Sequence, residues 1–331
     1  MHQGDGTAVI RPRVAVALGG GGARGYAHIG ILEVLRERGY GVVSIAGSSM
    51  GAVTGGLFAA GGLDAYADWV RGLTHRDVLR LYDPSPRAPG AIRAEKIFAR
   101  VAIILGDARI EDLPIPFTAV ATDLETGEER WLQEGPVDVA IRASAALPGF
   151  MTPVVLDGRL LADGGLTNPV PIAPTVAAGA DLTVAVVVSG RNRTVVPGPR
   201  RSASGHRNVR RLIGPRLAAL RGCADATTAD PLPPRLGLLD VMDMSMEAVR
   251  TSVLRHTLAA CPPDVLIAIP RSSCRTLDFH KAEELIALGR SLAVEALDGL
   301  ADGQSSQPRS SASLTASARF RAPVLPMAAE R

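Results

Sequence analysis

The chain has 331 residues, of which 47% are apolar and 21% are charged, and its formal net charge is only +3. A chain of this length and composition can bury the core of one large domain, which excludes a fibrous or wholly disordered protein. Aromatic residues are scarce at 4%, and the 35 glycines favour tight turns and closely packed helices over an all-β fold.

Cysteine usage and hydropathy limit the kind of site and compartment further. Cys223, Cys261 and Cys274 form no CxxC pair and have no clustered histidines beside them, so we expect neither a zinc site nor a disulfide framework. The apolar runs fall far short of the ~20 residues that span a bilayer, and the first, residues 14–18, is too short for a signal peptide. We therefore expect a soluble, cytoplasmic protein.

The predicted elements alternate between apolar strands and helices. Residues 1–12 are polar and are predicted to be a flexible tail. Residues 14–18 form a strand that ends in four glycines, and residues 26–38 form a helix with one apolar face. A second strand over residues 42–46 leads into a helix of small residues over 52–60.

The later elements repeat this alternation. Apolar residues at helical spacing predict a third helix over residues 63–70, and continuous apolar runs predict strands at 117–121, 182–188 and 265–269. Strands without polar alternation, separated by helices, indicate an α/β fold whose mainly parallel sheet is covered on both faces. We expect one domain over residues 13–300.

Two segments depart from this pattern. Residues 191–235 are rich in Pro, Gly and Ser and contain ten arginines against two acids, which predicts an inserted mobile segment or lid. Its charge favours contact with anionic headgroups at the inner membrane face, or else a solvated loop. Residues 301–331 are rich in Ser and Ala and are predicted to be a disordered tail.

The first motif that carries chemistry is G-x-S-x-G over residues 47–51, between a predicted strand and a predicted helix. So sharp a turn strains its central residue, Ser49, and exposes its hydroxyl, while Gly47 and Gly51 keep neighbouring side chains away. Free N–H groups of the following helix favour a developing oxyanion. The alternative is a glycine-rich turn with an incidental serine.

The second motif is the glycine-rich loop over residues 19–25, also between a strand and a helix. Gly20, Gly22 and Gly25 match G-x-G-x-x-G, but a dinucleotide site also needs an acidic residue about 20 positions further on, and the next strand ends without one. An oxyanion hole fits better, because consecutive glycines can direct several N–H groups at one oxygen. A turn that permits close helix–sheet packing is the alternative.

A serine nucleophile needs a base, and Asp163 is the best candidate. A short apolar strand delivers it to a glycine turn, Asp163-Gly164-Gly165. None of the six histidines follows a strand in a tight loop, and only His28 lies close enough to the first glycine loop to be a rival base. The alternative role for Asp163 is to bond the amides of its own turn.

In this order, the GGGxRG loop, G-x-S-x-G and D-G-G resemble the patatin-like phospholipases, particularly the bacterial members related to the catalytic domain of neuropathy target esterase. Residues 142–148, 168–171, 264–270 and 277–280 resemble that branch as well. The resemblance spans roughly residues 13–190 and 236–295.

The resemblance implies a patatin-type three-layer α/β/α sandwich with a mainly parallel central sheet, and no metal or organic cofactor. It implies a dyad in which Ser49 is the nucleophile and Asp163 is the base. The residues that match the rest of the family motif are the oxyanion donors Gly20, Gly21 and Gly22, the basic position Arg24, and the glycines Gly25, Gly47, Gly51, Gly164 and Gly165.

The expected function is hydrolysis of ester bonds in phospholipids, lysophospholipids or related lipids through an acyl-serine intermediate. An acyltransferase would share that intermediate and differ only in its acceptor. Two further alternatives are a catalytically silent regulatory or lipid-binding protein and a nucleotide-binding protein that uses the glycine loop. The expected partner is a lipid ester, with peripheral membrane contact and no nucleic acid.

Overall fold

The computed structural model describes residues 12–81, 90–92, 94–189 and 238–305. Strands and helices alternate through these ranges as predicted. The strands are β1 (Arg13–Leu18), β2 (Gly41–Ser48), β3 (Gly90–Ile92), β4 (Phe117–Asp123), β5 (Glu129–Leu132), β6 (Gly149–Met151), β7 (Val154–Leu156), β8 (Arg159–Asp163), β9 (Leu182–Ser189) and β10 (Val265–Pro270). The helices are α1 (Ala27–Glu37), α2 (Met50–Ala59), α3 (Leu63–Arg71), α4 (His75–Leu81), α5 (Glu95–Leu105), α6 (Val137–Ser144), α7 (Leu238–Ala260) and α8 (Ala282–Ser305).

One sheet of eight strands forms the centre of the fold. Its order is β10-β9-β1-β2-β4-β8-β7, and β5 also pairs with β4. The first five strands in this order are parallel, whereas β5, β8 and β7 pair in the antiparallel sense. The mainly parallel sheet is therefore confirmed, with an antiparallel extension at one side. The strands β3 and β6 form a separate parallel pair.

Alternate residues of the central strands face two different helical layers, as the two-residue period of a strand requires. Val16 and Leu18 of β1 belong to the large core that includes α1, α2 and α8. Ala17 belongs to a second core, against which Leu254 and Leu258 of α7 pack. Helices thus cover both faces, and the predicted three-layer α/β/α fold is confirmed.

The strand β4 brings the ends of two other strands together. Because β5 occupies one edge of β4, β2 and β8 share the other edge. The strand β2 runs parallel to β4 and ends with Ser48 opposite Val120. The strand β8 runs antiparallel and ends with Asp163 opposite Ala121. The carboxyl ends of β2 and β8 therefore meet on this edge of β4, which brings Ser49 and Asp163 to the same point of the sheet.

Several predicted boundaries differ from the structure. The helix predicted over residues 26–38 begins as a 3₁₀ turn, Gly22–Tyr26, and continues as α1. The helix α8 ends at Ser305, so the first residues of the predicted C-terminal tail are helical. The insert predicted over 191–235, the rest of that tail and the N-terminal tail before residue 12 lie outside the described residues and stay predictions.

Candidate active site

Ser49 occupies the turn between β2 and α2 that the G-x-S-x-G motif predicts. Its φ of 56° and ψ of −125° lie in a region that residues with side chains rarely adopt. The flanking glycines allow this turn, because a Cβ at Gly47 would collide with the Gly51 carbonyl oxygen, and one at Gly51 with the Leu18 carbonyl oxygen. The turn is therefore strained and closely packed, and its central serine is half-buried rather than enclosed.

A buried serine of α6 fixes the backbone of this turn. The Ser49 N–H donates to Ser144 Oγ at 3.0 Å, and that hydroxyl donates in turn to the Val120 carbonyl oxygen in β4. Next to Ser49, Ser48 Oγ donates to the Asn168 carbonyl oxygen at 2.7 Å. These contacts tie the turn to β4 on one side and to the segment after the Asp163 turn on the other, which fixes the backbone that carries the Ser49 hydroxyl.

Asp163 ends β8 and is completely buried. Its Oδ1 accepts the Gly165 N–H at 2.8 Å and lies 3.5 Å from Arg250 Nη2 of α7. Its Oδ2 is buried and has no hydrogen-bond partner within the described residues. One carboxylate oxygen thus bonds its own turn, as the alternative role predicts, whereas the other makes no hydrogen bond to any described residue, Ser49 included, and is available to a proton donor.

The glycine-rich loop lies against Ser49. A Cβ placed on Gly20 would be 3.2 Å from Ser49 Cβ and 3.8 Å from Ser49 Oγ, so only glycine leaves room there for a reacting group. The Gly20 N–H itself donates to the Pro169 carbonyl oxygen at 3.2 Å. Of the three predicted oxyanion donors, Gly20 is therefore already engaged, which leaves Gly21 and Gly22 as the candidates.

The loop is also shaped by its outer neighbours. A Cβ at Gly21 would collide with the side chain of Val188, and one at Gly22 with Thr276, while Gly22 adopts a φ of +57°. The Ala23 N–H donates to the Thr276 carbonyl oxygen at 2.9 Å. Close packing at Gly21 and the left-handed backbone at Gly22 explain why glycine occupies these positions. The structure therefore supports the alternative packing role of the loop, and the oxyanion-hole role stays a prediction.

His28, the rival base, is completely buried and serves the same loop. Its Nε2 lies 2.8 Å from the Gly19 carbonyl oxygen and donates to it. Burial lowers the pKa of His28 to about 4, which keeps the ring neutral at physiological pH. The bonded Nε2 carries the ring proton, and the buried Nδ1 has no hydrogen-bond partner among the described residues, so no hydrogen bond joins His28 to Ser49 there. The one hydrogen bond of His28 supports the glycine loop.

An apolar cavity lies at Ser49. Helices α2 to α5 and the segments around residues 145–151 and 276–279 line it. Its walls include Tyr66, Trp69, Leu73, Phe98, Val101 and Phe150. A cavity with this mainly apolar lining suits a hydrocarbon chain.

A second cavity beside the glycine loop has a mixed polar and apolar lining. Gly20, Gly21, Arg24, Arg250 and Arg271 are among the residues that line it. Arg250 and Thr276 line both cavities, so the two spaces adjoin at these residues.

Sequence reasoning missed three residues of this site. Ser144 lies within the segment 142–148 that carried the resemblance, but its role depends on the approach of α6 to β2, which no local pattern reveals. Arg250 and Thr276 come from the C-terminal part of the chain and reach the site only through packing of α7 and the segment after β10. In the described ranges no group of three His, Cys, Asp or Glu side chains could hold a metal ion. Nor does any helix there have the length and apolar character to cross a membrane.

Comparisons with known proteins agree with the fold and the motifs. The family model described as patatin-like phospholipase matches residues 16–176. An NTE family protein of Mycobacterium tuberculosis is 45% identical over 336 residues, which cover 87% of this chain and 92% of that protein. The chain belongs to the patatin-like phospholipase family, and its relation to the neuropathy target esterase branch is confirmed.

More distant proteins share the same region. Patatin-like phospholipase domain-containing protein 7 of Mus musculus is 30% identical over 289 residues, which cover 83% of this chain but only 20% of that much longer protein. Among solved structures, VipD from Legionella pneumophila superposes with a TM-score of 0.52 at 14% identity, covering 87% of this chain and 67% of VipD. The latter likeness is one of fold.

Proposed function

We propose that the protein is a serine acyl hydrolase that cleaves ester bonds of phospholipids, lysophospholipids or related lipids, with Ser49 as nucleophile and Asp163 as base. The observation that carries the proposal is the junction of β2 and β8. A strained turn presents Ser49 beside a buried carboxylate whose Oδ2 has no partner in the described part of the chain. The apolar cavity opens at the same point.

Family membership supports the same class of reaction. The patatin-like phospholipases are named for action on lipid esters, and the match covers the glycine loop, the Ser49 turn and the Asp163 turn. The apolar cavity supports an acyl chain as the part of the substrate bound next to Ser49, because burial of methylene groups supplies about 0.8 kcal/mol each.

In the acylation step, Ser49 Oγ attacks the ester carbonyl carbon while Asp163 Oδ2 takes the hydroxyl proton. The tetrahedral oxyanion receives hydrogen bonds from the N–H groups of Gly21 and Gly22 and lies near the amino end of α2, where the helix dipole favours negative charge. Asp163 then returns the proton to the leaving alcohol, and an acyl-serine remains.

In the deacylation step, water takes the place of the alcohol. Asp163 removes a proton from this water, which attacks the acyl-serine carbonyl and forms a second oxyanion at the same amides. Collapse releases the fatty acid, and the proton on Asp163 returns to Ser49 Oγ. A single carboxylate thus serves both steps.

The test combines covalent labelling with turnover. Wild-type protein is expected to react with a fluorophosphonate probe and to hydrolyse a fluorogenic ester, whereas Ser49→Ala is expected to do neither. Asp163→Asn keeps the shape of the base but cannot accept the proton, so we expect its turnover to fall by roughly 10²–10⁴-fold, the usual contribution of a general base. His28→Gln serves as the control and should retain both activities.

Labelling that survives Ser49→Ala would place the nucleophile elsewhere. Equal turnover by Asp163→Asn and wild type would remove Asp163 as the base. Circular dichroism spectra of all variants, matched to wild type, exclude unfolding as the cause of either loss.

A further inference from the structure

The cavity beside the glycine loop contains three guanidinium groups, of which two face a carboxylate and the third, that of Arg24, does not. Arg24 comes from the loop itself, Arg250 from α7, and Arg271 from the turn after β10. Arg271 forms an ion pair with Glu247 of α7 and donates to Thr251 Oγ1 at 2.9 Å. That pair holds Arg271 in the wall of the cavity.

Arg24 meets carbonyl oxygens rather than carboxylates. Its Nε donates to the Arg271 carbonyl oxygen at 3.1 Å, and its Nη1 lies 3.4 Å from the Gly21 carbonyl oxygen. Among the described residues these are the hydrogen-bond partners of Arg24, so the positive charge of its guanidinium is not matched by an acid there. An anion in the cavity would supply the missing negative charge.

Arg250 also lacks a full set of hydrogen-bond partners. Its Nη2 lies 3.5 Å from Asp163 Oδ1, a long contact for an ion pair, and its buried Nε has no hydrogen-bond partner within the described ranges. Its guanidinium packs over Gly165, where a Cβ would lie 3.5 Å from Arg250 Nε. A buried donor without a partner can accommodate an acceptor atom at little cost, because no existing hydrogen bond has to break.

We propose that this cavity is a subsite for a phosphate group, held by Arg24 and Arg250, and that the group is the phosphodiester of a lipid headgroup. A free phosphate ion offers the same chemistry and is the other source. The headgroup form rests on the proposed function, because it places the scissile ester at Ser49.

The position of the two cavities side by side favours the headgroup. Arg250 and Thr276 belong to both, so a lipid with its acyl chain in the apolar cavity and its ester at Ser49 would extend its headgroup past Arg250 toward Arg24. Guanidinium groups match the geometry of phosphate oxygens through paired N–H donors. The subsite therefore distinguishes phosphate-bearing lipids from neutral glycerides of the same chain length.

Binding to the Ser49→Ala protein tests the subsite without turnover. Decanoyl-lysophosphatidylglycerol and monodecanoylglycerol, at monomeric concentrations, are titrated by calorimetry in parallel with inorganic phosphate. We expect the lysophospholipid to bind about tenfold more tightly than the glyceride, as one charge-assisted contact would give. When Arg24→Gln or Arg250→Gln is combined with Ser49→Ala, we expect this preference to be abolished. Arg24→Lys in the same background should keep part of it. Arg255→Gln, an exposed arginine on the same helix as Arg250, is the matched control.

Each outcome decides between the sources or removes the subsite. Phosphate binding that depends on Arg24 and Arg250, without a preference for the lysophospholipid, would assign the cavity to the free ion. Equal affinity for the two lipids together with no phosphate binding would overturn the proposal, as would a preference that survives both arginine variants. Absence of fluorophosphonate labelling in the wild type would instead contradict the hydrolase function. The binding result would then still decide whether the phosphate subsite exists.

Discussion

The hydroxyl of Ser49 is presented by a backbone conformation that side chains disfavour, and a strained turn persists only when its surroundings hold it. Ser144 is the part of those surroundings that bonds the amide of Ser49. Because Ser144 also donates to β4, it couples the position of Ser49 to the strand with which β8, the strand of Asp163, is paired. We regard Ser144 as a positioning residue.

Replacing Ser144 with alanine tests this role. The Ser49 amide would lose its acceptor and the buried Val120 carbonyl oxygen its donor, so we expect unfolding in urea to cost about 1–3 kcal/mol less than in wild type. We also expect slower fluorophosphonate labelling and a lower kcat at temperatures where the variant is folded. Ser291→Ala, which removes an exposed hydroxyl bonded within its own helix, is the control for both measurements. An unchanged labelling rate in Ser144→Ala would show that the hydroxyl serves stability alone.

His28 makes the fold sensitive to acid. Its pKa is lowered from 6.5 to about 4 by burial, so between these values the unfolded chain binds a proton that the folded chain excludes. Stability from this residue is intact above pH 6.5 and declines as pH falls toward 4. The loss approaches about 3 kcal/mol.

The variant His28→Gln removes the pH-dependent contribution of His28 to stability, because a glutamine amide can still donate to the Gly19 carbonyl oxygen but does not titrate. We expect its unfolding free energy, measured by urea denaturation at a series of pH values, to fall less steeply between pH 6.5 and pH 4 than that of wild type. Parallel slopes for the two proteins would rule out His28 as the acid-sensitive group.

Helices α1 and α8 approach so closely that glycine is required where they cross. A Cβ at Gly30 of α1 would collide with the Ile286 carbonyl oxygen, and one at Gly289 of α8 with the Ala27 carbonyl oxygen. Backbone atoms cannot rotate away from such a contact, so the helices themselves would have to separate. This crossing anchors α8 over the large core.

Two alanine substitutions in α8 should therefore have opposite signs. Gly289→Ala is expected to destabilise the protein by about 2 kcal/mol through overpacking. Gly299→Ala, on the exposed side of the same helix with no atom within 4 Å, should stabilise it by about 0.5–1 kcal/mol through helix propensity. Thermal unfolding followed by circular dichroism measures both, and two shifts of the same sign would contradict the close crossing.

Elements with a strong local pattern could be predicted from the sequence, and elements defined by their neighbours could not. The sequence predicted the central part of each strand that is a mainly apolar run, namely β1, β2, β4, β9 and β10. Short strands such as β7, with its exposed Val155, and the antiparallel extension carry no such run. At the site, Ser49 and Asp163 belong to contiguous motifs and were predicted, whereas Arg250 arrives from α7 through tertiary packing alone.

The residues that line the apolar cavity come from many elements between Gly22 and Phe279, so the shape of the cavity depends on the whole fold. If it binds the acyl chain, kcat/KM for p-nitrophenyl esters should rise from butyrate to decanoate as more methylene groups are buried. Leu73→Trp would fill part of the cavity and should reduce decanoate turnover while sparing butyrate. Retained butyrate turnover also shows that the variant is folded, and an equal loss for both esters would place the acyl chain elsewhere.

The meeting of β2 and β8 on one edge of β4 has a consequence for how the protein reaches its active form. Ser49 and Asp163, the proposed nucleophile and base, lie far apart in sequence, and they approach each other because β4 pairs separately with β2 and with β8. Long-range strand pairing is slow compared with helix formation and collapse, because the chain must close large loops first. If the proposed dyad is correct, a collapsed chain can contain its helices and its serine turn during refolding and still be inert, since the two residues come together only after both pairings with β4 are complete.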